Sequence, residues 1–192
     1  MQSLFPCYIL HQRPYRETSL LLDAFSSEHG RVGLVARGVK RRGGRPALLQ
    51  PARRLNIAWS MRSELGTLTA VEASTPPARL AGTRLVSCFY MNELLVRTLH
   101  GHEAHPELFH RYEQALKGLD GGEPEDRVLR IFEKHLLKSL GYGLILTAVN
   151  RVCMAIFLWV VDSDRVLAGG SSKRAPMAAI QSGAPESSVP GT

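Results

Sequence analysis

From His29 to Ser63 the chain carries no aspartate and no glutamate, although 17 acids are spread through its 192 residues. Nine cations occupy the same stretch: Arg31, Arg37, Lys40, Arg41, Arg42, Arg45, Arg53, Arg54 and Arg62. Without them the 24 Lys and Arg fall to 15 against 17 acids, so the whole positive excess of +7 arises in this region. A run that dense repels itself, and a polyanion that releases counterions on neutralisation is its natural partner. Nucleic acid is the first candidate. A pI near 9.7 also suits an anionic membrane surface, and it says nothing about fold.

Cysteine is scarce. Cys7, Cys88 and Cys153 lie far apart, which excludes a disulfide framework and a Cys-x-x-Cys metal site. Membrane-length apolar runs are also missing: Val152–Val161 spans ten residues, about half of what a spanning helix needs, between Arg151 and Asp162. It reads as a buried strand or helix. Met1–Leu10 is too short and too polar-flanked for a signal peptide, so the cytoplasm is the expected compartment. Ser19, Ser60 and Ser87 stand in no Gly-x-Ser-x-Gly context. Neither a P-loop nor a Gly-x-Gly-x-x-Gly fingerprint is present, and Gly38–Gly44 lacks the Lys-Ser/Thr ending. With no catalytic constellation, a binding module is expected rather than an enzyme, and no cofactor.

An apolar content of 44% with 21% charged residues is ordinary for a soluble globular protein, and the length allows one domain or two small ones. Residues 4–74 read as five short strands separated by turns. The first starts at Tyr8–Leu10. Thr18–Phe25 carries Leu20, Leu22 and Ala24 on one face, and Arg31–Arg37 alternates Val32, Leu34 and Ala36 with Gly33, Val35 and Arg37. Gly38–Ala47 reads as a loop. Leu55, Ile57 and Trp59 share a face of a fourth strand, and Leu65–Glu72 is a fifth. Five such strands suggest a small closed barrel of the OB type, which an SH3-like barrel would match nearly as well.

Pro76-Pro77 interrupts strand and helix alike, and the period then becomes helical. Leu85, Cys88, Phe89, Leu95, Val96 and Leu99 form one expected inward face, ending near His100-Gly101. Pro106 opens a second helix with Leu108, Phe109, Tyr112, Leu116 and Leu119 inward. Pro124 opens a third with Val128, Leu129, Phe132, Leu136 and Leu140, and Gly141 is its C-cap. The expected class is α+β: an N-terminal five-stranded OB-fold barrel over residues 1–76, then an α-helical domain over 80–161. Residues 162–192 are expected to be a disordered tail, because 169–192 hold Gly, Ser, Ala and Pro without periodicity.

Arg37, Lys40, Arg41, Arg42 and Arg45 lie on or beside a glycine-bearing loop whose backbone can approach phosphates closely. A solvated charge run is the bland alternative. Arg53 and Arg54 are expected to extend the stripe onto the barrel surface. Tyr15 and Trp59 are the candidates for stacking on bases, although Trp59 shares its face with Leu55 and Ile57, which favours core packing. His100, His102 and His105 invite a metal reading, but no cysteine is near and a surface turn is preferred. No metal is expected. The same barrel and loop would also serve an RNA-binding protein, or an adaptor docking an acidic peptide.

The segment His11-Gln12-Arg13-Pro14-Tyr15-Arg16-Glu17-Thr18-Ser19, followed by Leu20–Phe25, resembles the opening of the bacterial DNA repair protein RecO family. So does Glu28-His29-Gly30-Arg31-Val32-Gly33-Leu34-Val35-Ala36-Arg37-Gly38. Leu49-Gln50-Pro51, Gly66-Thr67-Leu68-Thr69, Phe89-Tyr90-Met91-Asn92-Glu93-Leu94, His105-Pro106-Glu107-Leu108-Phe109 and Leu140-Gly141-Tyr142-Gly143-Leu144 follow in family order. The resemblance covers residues 1–144. It implies an OB-fold, a helical domain and a cytoplasmic, nucleoid-associated role in recombinational repair. It further implies binding of single- and double-stranded DNA, strand annealing, and work with RecR and single-strand-binding protein so that RecA can load. After Leu144 the likeness ends in this reading, and a shifted reading frame or truncation is expected to have replaced the rest of the helical domain. Some relatives carry a cysteine zinc cluster there, which Cys88 and Cys153 cannot supply.

Overall fold

The computed structural model describes residues 3–41, 46–61 and 64–142. Arg42, Arg45, Arg62, the run Val152–Val161 with Cys153, and the expected tail lie outside the described residues. The five strands are β1 (Phe5–Tyr15), β2 (Ser19–Ser26), β3 (Gly30–Ala36), β4 (Arg54–Met61) and β5 (Gly66–Ala73). They close in the order β1-β2-β3-β5-β4. Successive antiparallel pairs join β1, β2 and β3, a short parallel seam (Leu34 to Gly66, Val35 to Thr67) joins β3 to β5, and β4 returns antiparallel to β1. This is the OB barrel, and the SH3-like alternative is set aside.

The alternation read in the sequence fills the barrel. Cys7, Ile9, Leu20, Leu22, Leu34, Leu55 and Ile57 are buried in one cluster, with Phe5, Trp59 and Leu68 packed against it. β1 starts at Phe5 rather than Tyr8, because Phe5 to Tyr8 pair with Ile57 to Arg54 and so seal the barrel. A register shift between Ile9 and His11 then breaks the period of two. At the end of the expected loop and just beyond it, Pro46–Leu49 winds into a 3-10 turn that buries Leu49 in the barrel core.

Three helices follow: α1 (Thr83–Thr98), α2 (Pro106–Gly121) and α3 (Glu125–Ser139). Pro106 sits in the first turn of α2, where its missing N–H costs nothing. Beyond α3, Gly141 is left-handed (φ 82°), with its N–H donating to Lys138 O and that of Tyr142 to Leu137 O, a Schellman closure. Leu108, Phe109, Tyr112, Leu116 and Leu119 are buried as expected, as are Val128, Phe132 and Leu136; Leu129 and Leu140 are half-buried. α1 departs from expectation. Phe89 faces solvent at 47% exposure, while Asn92 points inward. Asn92 is accommodated because its amide donates to Leu10 O at 3.0 Å and its carbonyl accepts from the Tyr112 hydroxyl at 2.6 Å.

The barrel and the three helices belong to one compact unit, Met1–Ile145. Tyr8 and Phe25 on the outside of β1 and β2 meet the rings of Phe109 and Tyr112 at 5.2–6.2 Å. Arg31 donates through Nε and Nη2 to Asp23 Oδ1, and through Nη1 to Val96 O at 2.7 Å. That last contact satisfies one of the open carbonyls at the C-terminal end of α1. The backbone of the α1–α2 connection lies directly on Gly30 (φ 59°), where an added Cβ would stand 1.9 Å from Glu103 O.

Candidate nucleic-acid interface

The β1–β2 turn and the loop after β3 meet at one mouth of the barrel. Tyr15 pairs with Ser19, and Leu20 pairs with Ala36, so Arg37 emerges beside the hairpin end. The Lys40 N–H donates to Thr18 O at 3.1 Å and ties the two loops together. Arg37, Lys40 and Arg41 are exposed, and so are Arg13 and Arg16 on the hairpin. Among residues 13–18 and 37–41 these five cations face a single carboxylate, Glu17. Such a rim concentrates positive potential, because one carboxylate against five cations leaves most of the charge uncompensated.

Pairing also sets the outward rows. Arg13, Leu21 and Val35 stand side by side across β1, β2 and β3, next to the row His11, Asp23 and Gly33. Leu65, from the β4–β5 turn, leans over Gly33, where a Cβ would come within 2.9 Å of Leu65 Cδ2. The outer sheet face is therefore apolar in its middle, cationic toward the hairpin mouth, and occupied by the Arg31–Asp23 ion pair at the other end.

The two stacking candidates separate. Trp59 is held by Phe5 and His29, each with its ring centroid 5.2 Å away, and packs against the barrel core as its spacing favoured. Tyr15 is half-buried at the hairpin end, and the Arg16 guanidinium lies 5.3 Å from its ring centroid. Arg16 adopts a left-handed backbone (φ 51°), a conformation that a non-glycine residue takes up at some cost.

Arg53 and Arg54 differ from the exposed stripe expected of them. Both are half-buried. Arg54 donates through Nη1 to Glu113 Oε1 on α2 at 2.8 Å, so its charge is met inside the molecule. Glu113 also accepts from the Tyr8 hydroxyl at 3.4 Å. Burial, and the same carboxylate, push the Tyr8 phenol well above its ordinary range, so it stays a donor. Of the nine cations in the acid-free stretch, Arg54 thus ties α2 to the barrel through Glu113, while Arg31 pairs with Asp23 on β2 and reaches α1 through the Val96 carbonyl. Arg13 and Arg16 precede the acid-free stretch, and only the strand pairing carries them to Arg37.

The histidines do not form a centre. His100 and His102 are exposed, and His105 precedes α2 with Nε2 4.0 Å from Glu103 Oε2. Among the described residues no three potential metal ligands converge. No described helix is long and apolar enough to cross a membrane.

The chain also matches known proteins along its length. A family model described as recombination protein O, N terminal, matches residues 1–77, and its C-terminal counterpart matches residues 79–163. The second match runs beyond Leu144, past the expected end of the likeness. The DNA repair protein RecO of Nitrosococcus oceani is 49% identical over 144 residues, covering 74% of this chain and 58% of the relative. That of Methylococcus capsulatus is 49% identical over 168 residues, covering 84% and 69%. That of Burkholderia pseudomallei is 42% identical over 163 residues, covering 83% and 59%. The chain spans about three fifths to two thirds of the length of these relatives.

Proposed function

The chain belongs to the recombination protein O family, and from that membership we propose that it is a DNA-binding recombination mediator in DNA repair. It binds single- and double-stranded DNA through phosphate, anneals complementary strands, and with RecR helps RecA load on DNA coated by single-strand-binding protein. It acts by binding rather than by catalysis, in the cytoplasm at the nucleoid.

The observation that carries this reading is the barrel mouth, where Arg13, Arg16, Arg37, Lys40 and Arg41 surround one carboxylate, Glu17. Phosphate contacts from such a rim supply affinity with little dependence on base sequence. Arg42, Arg45 and Arg53 follow Arg41 in the sequence and extend the proposed set of phosphate-binding cations. Arg54 is assigned to the barrel–helix junction instead. Two labelled complementary oligonucleotides, each coated with single-strand-binding protein, test the reading. The full chain should bind them and accelerate their annealing. Annealing no faster than with the coating protein alone, together with no measurable affinity for bare strands, would remove it.

A further inference from the structure

We propose that Tyr15 and Arg16, at the β1–β2 turn, form a nucleobase-stacking site that makes the barrel mouth prefer unpaired strand over duplex. The proposal rests on the DNA-binding reading and adds to it the group that recognises the base. The phosphate-binding cations give no preference for unpaired strand, because the duplex carries the denser backbone charge. A stacking group does, because the faces of paired bases are already covered by their neighbours in the duplex.

Three observations single out this pair. Of the two aromatic candidates on the barrel, Trp59 is consumed by Phe5 and His29, whereas Tyr15 meets a cation. The Arg16 guanidinium lies 5.3 Å from the Tyr15 ring centroid, so a cation and an aromatic ring, the two kinds of group on which bases stack, stand together at the turn. The left-handed backbone of Arg16 is a local cost of the kind found at ligand sites. The surroundings match the ligand. Arg37, Lys40 and Arg41 stand within the same mouth, tied to the hairpin by the Lys40–Thr18 hydrogen bond, so a strand whose phosphates they hold passes over the ring. The neighbouring row of Arg13, Leu21 and Val35 continues an apolar floor edged by positive charge.

The probes are an oligo-dT strand, an abasic strand of the same length, and a duplex, each titrated with the full chain and with Tyr15→Ser and Tyr15→Phe variants. Wild type should bind oligo-dT at least about fivefold more tightly than the abasic strand, the lower end of what one stacked base contributes. Tyr15→Ser should bring the two strands to equal affinity while leaving the abasic strand and the duplex bound as by wild type. Tyr15→Phe should keep the preference, since it keeps the ring. A preference that survives Tyr15→Ser, or a wild type that treats the two strands alike, overturns the stacking site and leaves the phosphate-binding reading standing. Failure of wild type to bind any of the three overturns both.

Discussion

Arg54 on β4 and Glu113 on α2 meet at 2.8 Å across the junction between barrel and helices, 59 residues apart in sequence. The Glu113 carboxylate also takes the Tyr8 hydroxyl and lies 3.7 Å from Lys117 Nζ, so one carboxylate of α2 gathers groups from two strands and its own helix. Its side chain is only 12% exposed, which makes an unpaired charge there costly.

Arg54→Met should therefore destabilise the chain by about 2 kcal/mol in urea denaturation, since it strands a largely buried carboxylate that Lys117 only partly compensates. Adding Glu113→Leu should recover part of the loss. DNA affinity of Arg54→Met should match wild type. A variant with unchanged stability and weakened DNA binding would return Arg54 to the phosphate-binding surface.

Gly30→Ala should cost about 3 kcal/mol or more. The new Cβ would meet Glu103 O at 1.9 Å, and the residue sits at φ 59°, so overpacking and backbone strain act together. A loss below about 1 kcal/mol would mean that the α1–α2 connection shifts aside without penalty.

Stability should fall as pH rises above about 9. Burial pushes the Cys7 thiol from 9.0 up to about 12 and the Cys88 thiol up to about 11. Between those values the unfolded chain releases protons that the folded chain keeps, so each unit of pH favours unfolding. Cys7→Ala and Cys88→Ala, each followed by denaturation from pH 8 to 11, should flatten the decline. Rapid native-state labelling of either thiol by a thiol reagent at pH 8 would contradict their burial.

The barrel was legible because its strands obey a period of two, as in Val32, Leu34 and Ala36, all buried. What was illegible came from contacts distant in sequence. Asn92 faces inward although polar, because Leu10 O and Tyr112 wait for it, and Phe89 faces solvent although apolar. No local pattern carries that information. The acid-free stretch was a sound guide to where positive charge lies, yet Arg31 and Arg54 find their acids at Asp23 and Glu113. Conversely, Arg13 and Arg16 join the basic loop only through the pairing of Tyr15 with Ser19 and of Leu20 with Ala36. The likeness of the segment from His11 to Ser19 to its family covered these two residues without saying what they do.

The central claim is that the mouth of the barrel holds DNA by its phosphates, and the salt dependence of single-strand affinity tests it most directly. If about five cations touch phosphate, log K for oligo-dT should fall against log salt with a slope near −3.5, at about −0.7 per contact. The triple variant Arg37→Ala, Lys40→Ala, Arg41→Ala should fold as wild type does and show a slope shallower by about 2, with weaker binding to every sequence tried. A variant whose slope and affinity equal those of wild type, or a wild type whose affinity ignores salt, would contradict the account.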